Sequence, residues 1–174
     1  MCRGDVTVDV CLDCLEIAAR EIRLRCPKQK GVITWYDECQ LRYSNRSFFS
    51  IVDEGMFSFY NGEYILNSDQ FNKVLNEIMI SLVSLVAFDP SRHMFGTKEA
   101  NISTDQTLYC LAQCTLDLSG ISCSSYLADY VAYLPTCCGG KKGGRVLQAS
   151  CNVIYELYHF YTMPDVTTTP SPGY

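Results

Sequence analysis

The chain has 174 residues, 48% of them hydrophobic, with 11 cysteines and a formal net charge of −5. That length holds one ordinary domain or two small ones, and a mean hydropathy near zero describes a foldable chain, not a disordered one. The acidic balance argues against nucleic acid as the main partner, because phosphate binding calls for clustered Lys and Arg, and no apolar run approaches the ~20 residues of a membrane span.

From the N-terminus, residues 8 to 26, "VDVCLDCLEIAAREIRLRC", put Cys11, Cys14, Leu15, Ala18, Ile22 and Cys26 on one stripe, with Asp13, Glu16, Arg20 and Arg23 turned away. This predicts an amphipathic helix whose inner face carries three sulfurs, and the basic stretch "AAREIRLRCPKQK" reads as its solvated side. Pro27 stops it, Gly31 opens a turn, and "VITWYDECQLRYSNRSFFSIV" is rich in β-branched and aromatic residues, which predicts one or two strands. The segment "DEGMFSFYNGEYILNS" reads as a connector holding an aromatic strand. A long helix follows in "SDQFNKVLNEIMISLVSLVAF", with Phe71, Val74, Leu75, Ile78, Leu82 and Leu85 at helical spacing, Asn67 or Ser68 as cap and Pro90 closing.

Next, "RHMFGTKEANIS" and "QTLYCLAQCTL" predict a hairpin whose second arm sets Leu108, Cys110, Ala112 and Cys114 on one face. A further helix in "SGISCSSYLADYVAYLP" is capped by Ser119 and turns Cys123, Tyr126 or Leu127, Tyr130 and Leu134 inward. The turn "CCGGKKGG" leads into "RVLQASCNVIYELYHFY", two strands or one bent one. After Met163 the Pro/Thr-rich "PDVTTTPSPGY" predicts a flexible, O-glycosylated tail.

An offset of 112 residues carries Cys2 onto Cys114, Cys11 onto Cys123, Cys26 onto Cys138 and Cys39 onto Cys151 without a gap. Asp5, Leu15, Gly31, Tyr43 and Phe48 find identical residues at the same offset, while Cys14 lands on Tyr126. So long a period describes two copies of a small globular unit, not a solenoid. The first copy is a helix followed by strands; the second has two helices and about five strands.

The C-x8-C-x2-C spacing of Cys2, Cys11 and Cys14 admits zinc, a redox pair or structural disulfides. Zinc shared by both copies is disfavoured because Tyr126 interrupts the second C-x2-C. Redox chemistry of the thioredoxin kind wants C-x-x-C at a helix N-terminus, whereas Cys11 and Cys14 lie a turn inside beside Asp13. Disulfides fit eleven cysteines in a short chain and an oxidising compartment, and the sequons at Asn45 and Asn101 fit a secretory route and predict glycosylation there. Met1 is followed at once by Cys2, Arg3 and Asp5, so no signal peptide is expected in this chain.

Other motifs are weak. Arg3-Gly4-Asp5 matches an integrin tripeptide by three residues only. His93 and His159 are too few for a metal cluster, so neither a metal nor a cofactor is expected, and "CCGGKKGG" lacks phosphate-loop spacing and precedes a strand. Without a nucleophile motif, the chain is not expected to be an enzyme.

The C-x8-C-x2-C motif, "LRYSNRSFF" after Cys39, and "CCGGKKGGRVLQASCNVIYELYHFY" together resemble the ginkbilobin-homologous, or stress-antifungal, domain of plants, over residues 2 to 163. The tandem form resembles cysteine-rich receptor-like kinase ectodomains and cysteine-rich repeat secretory proteins. The resemblance implies an α+β fold, an antiparallel five-stranded sheet packed on two helices per complete domain, disulfide-stapled, with the first domain incomplete. It divides the chain into 1–55, the back half of a first domain; 56–163, a complete second domain; and 164–174, the tail. In the family a leader and the front of domain one precede this point, and in its receptors a membrane span and kinase follow.

It further implies bridges Cys2–Cys11, Cys14–Cys39 and Cys114–Cys123, and a partner for Cys26 that this chain lacks. With Tyr126 in place of the partner of Cys151, and Cys110 where the family usually has glycine, a rescue bridge Cys110–Cys151 is expected. The pairing of Cys137 and Cys138 stays open. The family's antifungal member is a mannose-binding lectin, and its three sugar-binding positions fall on Asn61, Arg145 and Glu156, with Tyr60 replacing the cysteine that precedes the first. Amide, guanidinium and carboxylate together suit a vicinal diol. Without a ligand, Arg145 and Glu156 read as an ion pair between neighbouring strands. The first copy has Ile33 and Ser44 there, so any such site lies in the second.

Two functions follow. One is a non-catalytic extracellular binding module for a mannose-type glycan or a protein ligand, in defence or stress signalling, with homo- or hetero-dimers of related ectodomains as further partners. The alternative is a thiol-based redox or sensor protein using unpaired Cys26, Cys110 and Cys151. The incomplete first unit, with an open sheet edge and an apolar helix face, is expected to be unstable, to depend on the second unit, or to aggregate.

Overall fold

A computed structural model describes residues 1–51 and 55–162, so the expected tail at 164–174 lies outside the described residues. Helix α1 (Val8–Arg25) begins where Thr7 caps Val10 N and ends with Arg23 and Arg25 in its last turn, cations that complement the helix dipole. Its buried residues are Cys14, Ala18 and Ile22, while Asp13, Glu16, Arg20 and Arg23 are exposed as their spacing predicts. Strands β1 (Gly31–Trp35) and β2 (Gln40–Ser44) form an antiparallel hairpin against it. The core of this first unit is small and largely sulfur: Cys14, Ala18 and Cys39, with Cys2, Leu15, Tyr36 and Leu41 around them.

The second unit consists of β3 (Phe57–Tyr60), α2 (Ser68–Phe88), β4 (Phe95–Asn101), β5 (Thr107–Cys114), α3 (Gly120–Cys138), β6 (Gly144–Leu147) and β7 (Cys151–Glu156). Its strands make one antiparallel sheet in the order β3-β6-β7-β5-β4. The α+β architecture implied by the resemblance is present here, with two helices on one sheet face. Val146, Val153 and Tyr155 meet Phe71, Met79, Leu82, Leu127 and Leu134 in a single core, and Leu108, Cys110, Ala112 and Cys114 of β5 all point into it.

Helix α2 is long and apolar enough to cross a membrane by length and composition, contrary to the sequence-based expectation. Here it is the core helix, since Phe71, Leu75, Ile78, Met79, Leu82, Val83, Val86 and Ala87 are buried. Helix α3 also departs from expectation, continuing through Pro135 to Cys138. Proline removes one backbone hydrogen bond, but Leu134 and Cys138 are buried and the Tyr155 hydroxyl donates to Cys138 O at 2.9 Å, so tertiary anchoring holds the last turn.

The repeat is visible in register. Val32 faces Tyr43 and, 112 residues on, Gly144 faces Tyr155; Ile33–Arg42, Thr34–Leu41 and Trp35–Gln40 become Arg145–Ile154, Val146–Val153 and Leu147–Asn152. The cross-strand neighbours Cys2 and Cys39 likewise become Cys114 and Cys151. The two units touch through Gln40 Nε2 donating to Ala149 O (2.8 Å), Gln113 Nε2 donating to Cys2 O (2.9 Å) and the Trp35 and Phe57 rings, 5.3 Å apart.

The structure bridges Cys2 to Cys11 and Cys14 to Cys39, and brings Cys114 against Cys123 and also against Cys151. Adjacent Cys137 and Cys138 pair with each other, while Cys26 and Cys110 carry free thiols. The rescue bridge Cys110–Cys151 is therefore corrected. Cys110 stands opposite Tyr155, and Cys151 stands opposite Cys114. A shared face is not enough: four residues of strand separate the two by on the order of 13 Å, beyond the roughly 7 Å that a disulfide tolerates between Cα atoms.

Candidate functional site

The site lies on the sheet face turned away from the helices, at the end where β3, β6 and β7 meet. Phe59 pairs with Arg145, and Arg145 with Ile154, so these three side chains share that face. Glu156 lies two residues beyond Ile154 and thus diagonally from Arg145, with Arg145 Nε 3.6 Å from Glu156 Oε1. One step past β3, Asn61 N donates to Gly143 O at 2.9 Å. Asn61, Arg145 and Glu156 are thereby brought to one corner of three adjacent strands.

Local chemistry explains how each is held. The Glu156 carboxylate packs directly on the Cα of Gly143, where any Cβ would collide with it, so glycine is required for close approach and not for a left-handed turn. Asn61 Oδ1 accepts from Glu63 N at 3.0 Å, closing a small turn after β3. Glu156 is only 6% exposed, and its Oε2 has no hydrogen-bond partner among the described residues. Burial pushes this carboxyl above its ordinary range, against the opposing pull of the Arg145 guanidinium.

Two further participants were not found from the sequence. Asp37, in the β1–β2 turn of the first unit, accepts from Arg145 Nη1 at 2.6 Å. Tyr158, just beyond β7, stands beside both Arg145 and Glu156. Asp37 carried no motif, and only the relative placement of the two units brings it here. Next to this cluster a cleft of about 640 Å³ opens between the units, lined by Trp35, Asp37, Phe59, Arg145, Tyr158 and Phe160 among others. Its size suits a small ligand. Trp35 Nε1, Gln40 Oε1 and Asn152 Oδ1, all from lining residues, are buried without partners among the described residues.

Other candidate positions resolve simply. Arg3 and Asp5 of the integrin-like tripeptide bind each other (2.6 Å), and the Asp5 carboxylate, its side chain 4% exposed, also accepts from Thr162 N, so both charged groups are engaged within the fold. Asn45 and Asn101 are exposed next to turns. His159 meets Tyr109 edge-on and Tyr161 at a tilt in an aromatic cluster over the outer sheet face.

The model of the family described as salt stress response/antifungal matches residues 1–46 and 59–158. The chain belongs to this family. It is 41% identical over 161 residues to an antimicrobial ginkbilobin-2-like protein of Castanea crenata, covering 92% of this chain and 66% of that one. It is 40% identical to cysteine-rich repeat secretory protein 38 of Arabidopsis thaliana (92% and 64%), and 38% identical to cysteine-rich receptor-like protein kinase 25 of the same plant (99% and 26%). The chain thus spans about two thirds of the first two relatives and a quarter of the kinase. Among solved structures it is similar to the tandem DUF26 ectodomain of the Arabidopsis cysteine-rich receptor-like protein PDLP8, with TM-score 0.75, 26% identity, and coverage of 90% and 70%. The family's relatives are cysteine-rich secretory proteins and receptor ectodomains, and this chain carries their extracellular type of module.

Proposed function

We propose that this chain is a non-catalytic extracellular binding module, built of units 1–55 and 56–163, whose second unit recognises a mannose-type glycan through Asn61, Arg145 and Glu156. The observation that carries the reading is the Glu156 carboxylate, buried under Gly143 with Oε2 unpaired, next to a guanidinium and at the edge of an aromatic cleft. A sugar diol supplies hydroxyls that donate to a carboxylate and accept from a guanidinium or amide at once. The aromatic rings of Trp35, Phe59 and Tyr158 offer apolar faces against which the C–H faces of a pyranose pack. Asp37 competes for Arg145 in the free protein, so glycan entry exchanges that contact for sugar hydroxyls.

A glycan array tests this with wild-type protein beside Arg145→Ala, Glu156→Gln and Asp37→Asn. The expected result is selective retention of mannose-terminated glycans, lost in the first two variants and kept or strengthened in the third. Binding only to glycans without terminal mannose, or equal binding by all four proteins, would contradict it.

A further inference from the structure

Three fully buried sulfurs meet where the start of α3 touches β5 and β7. Cys114, Cys123 and Cys151 are each 0% exposed, and their Sγ atoms all lie within 4.8 Å of one another. Cys114 is against both of the others, with Cα separations of 6.0 Å to Cys123 and 4.1 Å to Cys151. A sulfur forms one disulfide at a time, so at most one bridge closes within the group and the third sulfur is left outside it.

The first unit shows what is different. There the same cross-strand neighbours, Cys2 and Cys39, bridge outward to Cys11 and Cys14 on α1, so four sulfurs close two bonds. In the second unit Tyr126 occupies the fourth place, packed at the edge of the core, and Cys151 lacks the counterpart of Cys14 to bridge to. The register nevertheless holds Cys151 directly across from Cys114.

We propose that Cys114, Cys123 and Cys151 form an internal thiol–disulfide exchange site that switches the bridge of Cys114 between α3 and β7. The thiolate of Cys151 attacks Cys114 Sγ; the Cys114–Cys151 bond forms as the Cys114–Cys123 bond breaks, and the electron pair leaves on Cys123 Sγ. The proton lost by Cys151 is regained by Cys123. One disulfide and one thiol are present before and after, so no outside oxidant or reductant is consumed. The complete burial of all three sulfurs keeps soluble thiols out and confines the reaction to the trio.

The two states differ in what they hold. The Cys114–Cys123 bridge closes nine residues and ties the N-terminus of α3 to the sheet; Cys114–Cys151 closes 37 and joins strands already paired by hydrogen bonds. Loop closure favours the shorter ring by roughly eightfold in the unfolded chain, so the helix bridge forms first and folding then delivers Cys151 to it. Exchange frees the start of α3 from its staple without breaking the sheet.

The test is an acid-quenched, non-reducing peptide map of the whole chain after oxidative folding, repeated after incubation at neutral and mildly alkaline pH. The expected result is both bridges in one preparation, Cys114–Cys123 with Cys151 alkylated and Cys114–Cys151 with Cys123 alkylated, in amounts within about tenfold of each other and reaching their final ratio faster at higher pH. Cys151→Ser should yield the helix bridge alone and Cys123→Ser the strand bridge alone. A single bridge in wild type at every pH, a bridge from Cys151 to any other cysteine, or stoichiometric zinc with all three thiols reduced would overturn the exchange site. The wild-type map decides even where a variant fails to fold.

Discussion

Glu156 reaches its place because Gly143 leaves room for a carboxylate on bare Cα, and burial there raises its proton affinity despite the nearby Arg145. The folded state then holds this proton at pH values where the unfolded chain has released it. The associated stability is fully present below the ordinary carboxyl value of 4.5 and is lost as pH rises through the elevated folded value. Thermal melts from acid to neutral pH should show wild type losing stability relative to Glu156→Gln as pH rises; parallel curves would remove Glu156 from the account. The family resemblance points to Arg145 and Glu156 by their offsets along the chain, and the fixed register of β6 and β7 sets the two side chains near each other. Asp37 and Tyr158 were not legible in the same way. One comes from the other unit and the other from the segment after β7, and neither lies in a spacing that a linear chain reveals. Cys110 failed for a related reason: alternation gives the face a residue points to but not how far along the strand its partner lies.

Among the elements, apolar stripes and two of the caps were readable because they are local: Asn67 accepts from Gln70 N in the first turn of α2, and Ser119 from Ser122 N at the start of α3, whereas the Thr7 cap of α1 emerges only in the structure. The end of α3 was not, since proline signals a stop and only the buried Leu134, Cys138 and the Tyr155 hydroxyl carry the helix past it. The length of α2 serves burial. Leu82 is 0% exposed in the core and packs against Gly96 of β4, and Leu82→Ala should cost about 2–5 kcal/mol by lost burial and the cavity left behind. Urea denaturation measures this directly. A change well under 1 kcal/mol would mean that α2 is not seated on the sheet as described.

On the scale of the whole molecule, one helix-and-hairpin pattern appears twice with the same strand register but unequal surroundings. The second copy gains β3, α2, β4 and most of β5 and so builds a core of aromatic and aliphatic side chains; the first relies on sulfur and on contacts with its neighbour. The offset of 112 residues made this doubling readable, whereas the cleft between the copies depends on how they pack, which no periodicity records. Trp35 is the only tryptophan and it lines that cleft, beside Arg145 of the second unit. Titration of a mannose oligosaccharide followed by Trp35 emission therefore reads the proposed site directly. A saturable change in wild type, weakened at least tenfold in Arg145→Ala and Glu156→Gln proteins of unchanged circular dichroism, is the predicted result. No saturable response in wild type, or the same response in both variants, would contradict glycan recognition at this corner of the sheet.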